Sequence, residues 1–178
     1  MKFKIILFDT GLKKESCKAL EKCLPEVQLI FGQFLKKSTQ FTKLNLGNRE
    51  VILNLTLCGK TKIQTINRKF RNKDKPTDVL TFPLYETLRS DEIKKFKLDP
   101  IMFGPEVLLG DVLICKEVAK SQAKEFDITY RDELLHLLCH GFLHVLGYDH
   151  ERSAKEEKIM QNFEDMLVAE LSKKLKRK

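Results

Sequence analysis

The chain has 178 residues, of which 42% are hydrophobic and 33% are charged, with only eight glycines and five prolines. This composition excludes a disordered, collagen-like or low-complexity chain, and the length suits one domain with a sizeable core. The formal net charge of +8 favours a polyanionic partner. We therefore expect a single domain over residues 1–178, in which the basic tail over 172–178 is disordered.

The first apolar run, over residues 5–8, is far shorter than the ~20 residues that a membrane span needs, and it is too short for a signal-peptide core. The sequence therefore predicts a cytoplasmic protein without a membrane partner. Its five cysteines are scattered and show no Cys-x-x-Cys spacing. This pattern favours free thiols over a disulfide framework or a cysteine-rich zinc site.

Hydrophobic periodicity predicts the following elements in chain order. The predicted strands are 2–8, 50–58, 77–82 and 107–115, the last interrupted by a Gly–Asp step. The predicted helices are 13–24, 26–37, 61–70, 116–126, 130–146 and 153–174. The segment 84–104 is the least regular, and we expect a loop there with a helical piece over 91–96. Strands interspersed with helices predict an α+β fold, in which helices cover a mixed sheet of about four strands.

Local signals bound the last two predicted helices. Thr129 is a suitable N-cap for the helix over 130–146, and Gly147 stands where a left-handed C-terminal cap belongs. Ser153 and Glu156 form a capping box at the start of the last helix. The chain is therefore expected to turn sharply after residue 146.

All four histidines fall in one short segment around that turn. His140 and His144 are four residues apart, so a helix presents both imidazoles on one face, as in helices that supply two nitrogens to one zinc ion. His136 is ~12 Å from His144 along the axis, too far for both to bind the same ion. Because Gly147 can turn the chain back, His150 is the favoured third ligand. Three protein ligands leave one position for water, which is typical of a catalytic zinc site.

The spacing His-x3-His-x2-Gly-x2-His is that of the metzincin metalloproteases, in which a Glu follows the first His as general base. In this chain Gly141 stands at that position and has no side chain that accepts a proton. The metal ligands are present and the protease base is absent, which argues against a peptidase.

Three stretches resemble, in the same order, the YbeY family of bacterial endoribonucleases. The segment 140–150, HGFLHVLGYDH, is similar to the family signature HGxLHLxGYDH. The segment 66–83, with NRKFR and PTDVLTFP, is similar to LNxxFR…PTDVLSFP, and the segment 109–114, LGDVLI, is similar to the family's GDI strand. The likeness runs from about residue 50 to residue 167, and neither the first 45 residues nor the segment 84–104 carries much of it.

The resemblance implies a zincin-like fold with the metal-binding helix at its centre, and one Zn²⁺ per chain. It implies a zinc-dependent endoribonuclease specific for single strands. That enzyme acts in ribosomal RNA maturation, at the 3′ end of the small-subunit rRNA, and in ribosome quality control. The implied partners are single-stranded RNA, rRNA and the small ribosomal subunit, with ribosomal proteins or a ribosome-assembly GTPase as further candidates. Arg71 and His140 are the implied catalytic residues.

Arg71 has the chemistry that this function needs, because a guanidinium grips a phosphate with a fork of N–H donors and offsets transition-state charge. Lys69, Lys73 and Lys75 surround Arg71 in the sequence and are candidate contacts to the RNA backbone. A metal-activated water and the RNA 2′-hydroxyl are both possible nucleophiles, and the sequence does not choose between them.

Other acidic and histidine side chains have supporting roles in this interpretation. Asp149, next to His150, is the candidate acceptor for an imidazole N–H group. Structural roles are favoured for Asp78 and Asp111, and a structural or supporting role for His136.

Two other functions stay open. One is a metal-dependent hydrolase of another bond, peptide or phosphoester, and the other is a non-catalytic rRNA-binding assembly factor with a structural zinc. The missing glutamate argues against peptides, and a three-ligand set argues against a structural zinc. With no Trp and three Tyr, the sequence shows no aromatic pair that resembles a base-stacking platform, which predicts RNA cleavage with little sequence preference.

Overall fold

A computed structural model describes residues 1–10, 15–38, 48–85 and 104–176. Within these ranges the strands are β1 (Lys2–Asp9), β2 (Glu50–Cys58), β3 (Val79–Pro83) and β4 (Glu106–Cys115). The helices are α1 (Glu15–Glu21), α2 (Leu24–Lys37), α3 (Lys60–Arg71), α4 (Lys116–Glu125), α5 (Tyr130–Val145) and α6 (Ala154–Leu175). Helices α1 and α2 follow β1, α3 follows β2, and α4, α5 and α6 follow β4.

The observed elements lie close to the predicted ones, with two informative differences. Helix α1 ends at Glu21, because Leu24 already begins α2, which accommodates Pro25 in its first turn. Helix α6 continues to Leu175, which packs on the core, so the first four residues of the tail expected to be disordered are helical. The helical piece expected over 91–96 lies outside the described residues.

The sheet has the strand order β1-β2-β4-β3. Strands β1, β2 and β4 are parallel, and β3 pairs antiparallel with β4 at one edge. This mixed sheet of four strands confirms the predicted α+β class. Strands β2 and β4, at the centre of the sheet, read as nearly continuous apolar runs because helices cover both faces of the sheet there.

A β-bulge lies in β4 at the predicted interruption. The pairing register shifts between Ile52 and Leu53 of β2, so that Leu109 is an extra residue in β4. Gly110 follows with φ 151°, and a Cβ at this position would lie 2.4 Å from the carbonyl oxygen of Phe82. The bulge lets both halves of β4 face the same core. The core-facing residues of β4 are Val107, Leu109, Val112 and Ile114.

The main core lies between one face of the sheet and the helices α1, α2, α5 and α6. At its centre the rings of Phe31 and Phe142 stack with centroids 3.9 Å apart, and Phe3 packs edge-on against Phe142. A smaller cluster on the opposite face includes Ile63 of α3. Helix α5 is therefore central, as expected for the metal-binding helix.

Four of the five cysteines, Cys23, Cys58, Cys115 and Cys139, are free and buried, which agrees with the free thiols that the sequence predicts. No helix within the described ranges combines the length and the apolar character that crossing a membrane requires.

Gly141 sets how closely α5 approaches the sheet. A Cβ at this position would lie 2.7 Å from Cγ1 of Val112 on β4 and 3.4 Å from Cγ2 of Thr81 on β3. The position that carries glutamate in metzincins is therefore a point of close helix–sheet packing in this chain. Glycine is required there by space, since φ is not positive at this residue.

We expect Gly141→Ala to lower the free energy of unfolding by about 1–3 kcal/mol, because the added methyl group overpacks the contact with Val112. Urea denaturation measures the change. In a Val112→Ala background the same substitution should cost less, because the clashing methyl groups are gone. Equal costs in the two backgrounds would contradict the proposed contact.

Candidate metal centre and its cleft

Helix α5 carries His140 and His144, two of the three histidines of the site. The Thr129 side chain caps its start and accepts a hydrogen bond from the Asp132 N–H at 3.1 Å, as predicted. His140 and His144 lie on successive turns of the helix, with ring centroids 4.6 Å apart and Nε2 atoms 3.0 Å apart. The two imidazoles therefore point at one location, as their i, i+4 spacing predicts.

A Schellman motif turns the chain back after α5. Gly147 has φ 88°, and the N–H groups of Gly147 and Tyr148 donate to carbonyls of the last helical turn, at 2.9 and 3.1 Å. Tyr148 is buried and packs edge-on against Phe163 of α6, with centroids 5.2 Å apart. This anchor holds the returning chain against the core and brings His150 beside α5.

His150 completes a group of three imidazoles able to hold a metal ion. Its ring centroid lies 5.4 Å from that of His140 and 5.2 Å from that of His144. One ring nitrogen of each residue lies within 4.8 Å of those of the other two. Burial and the two neighbouring histidines lower the pKa of His144 to about 4, so its imidazole is neutral at pH 7 and offers a lone pair to a metal.

Glu164 of α6 is the buried carboxylate behind this group. Its Oε2 lies 3.2 Å from Nδ1 of His140, and its Oε1 lies 2.7 Å from Nε2 of His136. Burial opposes ionisation, but the hydrogen bonds with the two histidines outweigh it and lower the pKa of Glu164 to about 2. Because Nδ1 of His140 is held by the carboxylate, Nε2 is the nitrogen left for a metal, the usual arrangement behind a ligating histidine.

Glu164 is not among the site residues predicted from the sequence, although the sequence carries a signal for it. Met160, Glu164, Leu167 and Leu171 are the buried residues of α6 and recur at the spacing of one helical face. A carboxylate on such a stripe is costly unless it is paired, so its presence indicates a partner on the facing helix.

His136 lies one turn before His140 and contacts carboxylates rather than the other histidines. Its Nδ1 is 3.5 Å from Glu133 and its Nε2 is 2.7 Å from Glu164. The hydrogen bond with Glu164 raises the pKa of His136. This geometry agrees with a supporting role for His136 outside the group of three.

The three histidines open into a cleft of about 470 Å³. Arg71, the last residue of α3, lines the cleft with them. Two features fix the conformation of the turn after Arg71. Asn72 takes a left-handed conformation with φ 56°. The side-chain amide of the buried Asn67 donates a hydrogen bond to the Lys75 carbonyl at 2.8 Å. The structure thus brings Arg71 and the histidines, widely separated in sequence, to one cavity.

The three candidate lysines lie around this turn and are exposed. Lys69 places Nζ 5.2 Å from the centroid of the Phe70 ring. Lys69, Lys73 and Lys75 are not among the described residues that line the cleft. They flank Arg71 on the outer surface, where contact with a longer RNA strand stays a prediction.

The carboxylate of Asp149 accepts hydrogen bonds from residues of the turn in which it lies. Its oxygens accept hydrogen bonds from the Glu151 N–H at 3.0 Å and from Nε of Arg152 at 3.2 Å. The predicted role of Asp149 beside His150 stays a prediction.

Asp78 links helix α4 to the start of β3, and Asp111 links the neighbouring strands β4 and β2. Asp78 accepts a hydrogen bond from Gln122 of α4 at 2.9 Å, and Asp111 accepts one from Asn54 of β2 at 3.0 Å. These contacts agree with the structural roles favoured for both residues.

A mixed sheet covered by helices, with two histidines of a three-histidine group on the central helix and the third in the turn after it, defines a zincin-like protein with a candidate metal site. The profile of a family described as endoribonuclease YbeY matches residues 15–172. An endoribonuclease YbeY from Sulfurihydrogenibium sp. is 42% identical, over 80% of this chain and 85% of that protein. The endoribonuclease YbeY of Leptospira interrogans is 46% identical, over 67% of this chain and 86% of that protein.

The solution structure of TM1509 from Thermotoga maritima is similar to this structure with a TM-score of 0.57. It is 27% identical in sequence, over 98% of this chain and 93% of that one. The chain belongs to the endoribonuclease YbeY family. The resemblance seen in the three sequence stretches is therefore confirmed.

We expect Glu164→Gln to weaken metal binding by about 10- to 100-fold, because His136 and His140 face different oxygens of the carboxylate and an amide replaces one of these acceptors with an NH2 donor. Competition between the protein and a chelator for Zn²⁺ measures the affinity. Glu170→Gln, an exposed position on the same helix, is the matched control and should bind as the unmodified chain does. Equal affinities for the two variants would show that Glu164 does not orient a ligand.

Proposed function

We propose that this protein is a metal-dependent endoribonuclease that cleaves single-stranded RNA. The observation that carries the proposal is the presence of His140, His144, His150 and the exposed Arg71 in one cleft. The names of the relatives support the reaction class. The net charge of +8 supports a polyanionic substrate.

The biological substrate that we propose is ribosomal RNA, at the 3′ end of the small-subunit rRNA, with a further role in ribosome quality control. The small ribosomal subunit, ribosomal proteins and a ribosome-assembly GTPase are the proposed partners, and the cytoplasm is the proposed location. The likeness of segments 66–83, 109–114 and 140–150 to the family's stretches supports these assignments.

We assign Zn²⁺ as the metal, one ion per chain, with His140, His144 and His150 as its ligands. Three imidazoles without a carboxylate form a donor set that suits zinc and leaves a coordination position open. When bound, the ion supplies Lewis acidity, which lowers the pKa of a water molecule and offsets negative charge on a phosphate.

The side chains of the cleft perform the remaining steps. Glu164 retains the proton on Nδ1 of His140, so that Nε2 keeps its lone pair. Arg71 donates two N–H groups to the non-bridging oxygens of the scissile phosphate, and this contact strengthens as negative charge grows in the transition state. The turn at Asn72 fixes the backbone from which the Arg71 side chain extends.

The two alternative functions are less well supported. For a peptidase, Gly141 leaves no base beside the first histidine, and its packing against Val112 leaves no space for one. For an RNA-binding factor with a structural zinc, four protein ligands are normal, whereas the group found among the described residues has three and faces a cleft.

Replacing a ligand should empty the site, and replacing His136 should not. We expect His144→Ala to lose nearly all bound zinc, while His136→Ala keeps most of it, because the ring of His136 is committed to Glu164. Metal analysis of the purified variants measures the stoichiometry. The reverse pattern would overturn the ligand assignment.

We expect Arg71→Ala to keep the fold and the zinc but to lose about a hundredfold or more in the rate of RNA cleavage, because one charge-assisted contact to the transition state is removed. Single-turnover cleavage of a single-stranded RNA measures the rate. Arg68→Ala, on the same helix but outside the cleft lining, is the control for general loss of positive charge. Similar cleavage rates for the two variants would show that Arg71 is a solvent-exposed turn residue without a role in cleavage.

A further inference from the structure

An exposed phenylalanine stands on the wall of the cleft. Phe126 follows the last residue of α4, and it is 55% exposed although it lines the cleft together with Arg71 and His140. Among the described residues, the other exposed large hydrophobic side chains all lie outside the cleft lining. These are Phe8, Leu29, Phe70, Leu84, Ile128 and Met166.

The backbone that carries Phe126 is held in place. The Phe126 N–H donates to the carbonyl of Gln122 at 2.9 Å, and the Ile128 N–H donates to that of Ala123 at 3.0 Å. Between them Asp127 takes a left-handed conformation with φ 52°. Gln122, one helical turn before Phe126, also donates to Asp78 at 2.9 Å. The end of α4 is therefore tied to the start of β3, which forms another wall of the cleft.

We propose that Phe126 is the base-binding platform of this cleft, on which one unpaired nucleobase of the RNA stacks while Arg71 binds a phosphate of the same strand. The proposal rests on the proposed function and adds a subsite to it. Arg71 and Phe126 stand at the ends of α3 and α4, two helices in contact with each other. The cleft therefore offers one strand both a cation for phosphate and an apolar plane for a base, the two groups that single-stranded nucleic acid requires.

A platform of this kind selects single strands without reading sequence. In a duplex the faces of each base are covered by its neighbours, whereas an unpaired base can turn out and stack on an aromatic ring. Phenylalanine has no hydrogen-bonding group to read a base edge, so every base is accepted. The sequence, with no Trp and three Tyr, showed no aromatic pair that resembles a stacking platform, but the fold places one of the twelve phenylalanines at the cleft.

Stacking is measured directly with 2-aminopurine, whose fluorescence is quenched when the base stacks. Short single-stranded 2′-O-methyl oligonucleotides, each with 2-aminopurine at a different position, are titrated with the zinc-loaded full chain. We expect quenching at one position, retained by Phe126→Tyr and lost by Phe126→Ala, with binding weakened roughly tenfold in the alanine variant. The matched control is Phe8→Ala, because Phe8 is 48% exposed on β1, at the opposite edge of the sheet from β3.

A second arm places an abasic residue at the quenched position. The unmodified chain and Phe126→Ala should then bind this strand equally, because the base that would stack is missing. Quenching that persists in Phe126→Ala, or an unmodified chain that quenches at no position, would overturn the platform.

Cleavage of unmodified RNA is measured separately, so that failure of the proposed endoribonuclease activity can be distinguished from failure of the proposed Phe126 platform. Quenching that depends on Phe126 in a protein that cleaves no RNA would keep the platform and overturn the endoribonuclease. Cleavage by the unmodified chain, with no quenching and no loss in Phe126→Ala, would keep the endoribonuclease and overturn the platform.

Discussion

The buried carboxylate of Glu164 is the interaction on which the site depends. It accepts hydrogen bonds from His136 and His140 of α5 while it lies on the apolar stripe of α6 between Met160 and Leu167. An ionised carboxylate in this position is stable only while both histidines face it, so α5 and α6 have one acceptable register. The contact that would orient the proposed metal ligand His140 is thus the same contact that aligns two core helices.

The rest of the site is assembled from backbone features that only particular residues allow. Gly147 permits the left-handed turn that returns His150 to α5, and Gly141 permits the close contact between α5 and the sheet. Gly110 forms the bulge that keeps both halves of β4 on the core, and Asn67 holds the turn after Arg71. Each of these residues lies in one of the stretches that resemble the family, so the likeness has a structural as well as a chemical basis.

Different structural elements contribute the functional groups of the cleft. Helix α5 and the turn after it supply the nitrogens, the end of α3 supplies a cation, and the end of α4 supplies an apolar ring. Because these side chains start from helix ends or helix faces anchored in the core, the groups proposed to bind a phosphate and a base are placed before substrate binds. Such preorganisation reduces the ordering cost that binding would otherwise carry.

The sequence by itself determined the class of fold, nearly all of the element boundaries and the group of three histidines, because periodicity, caps and i, i+4 spacing are local properties of the chain. It did not identify Glu164 or Phe126, and it could not show why Gly141 must be glycine. Those roles depend on which helix faces α5, how closely it packs on Val112, and which aromatic side chain the end of α4 leaves uncovered. Such contacts join residues far apart in the chain, so only the tertiary structure decides them.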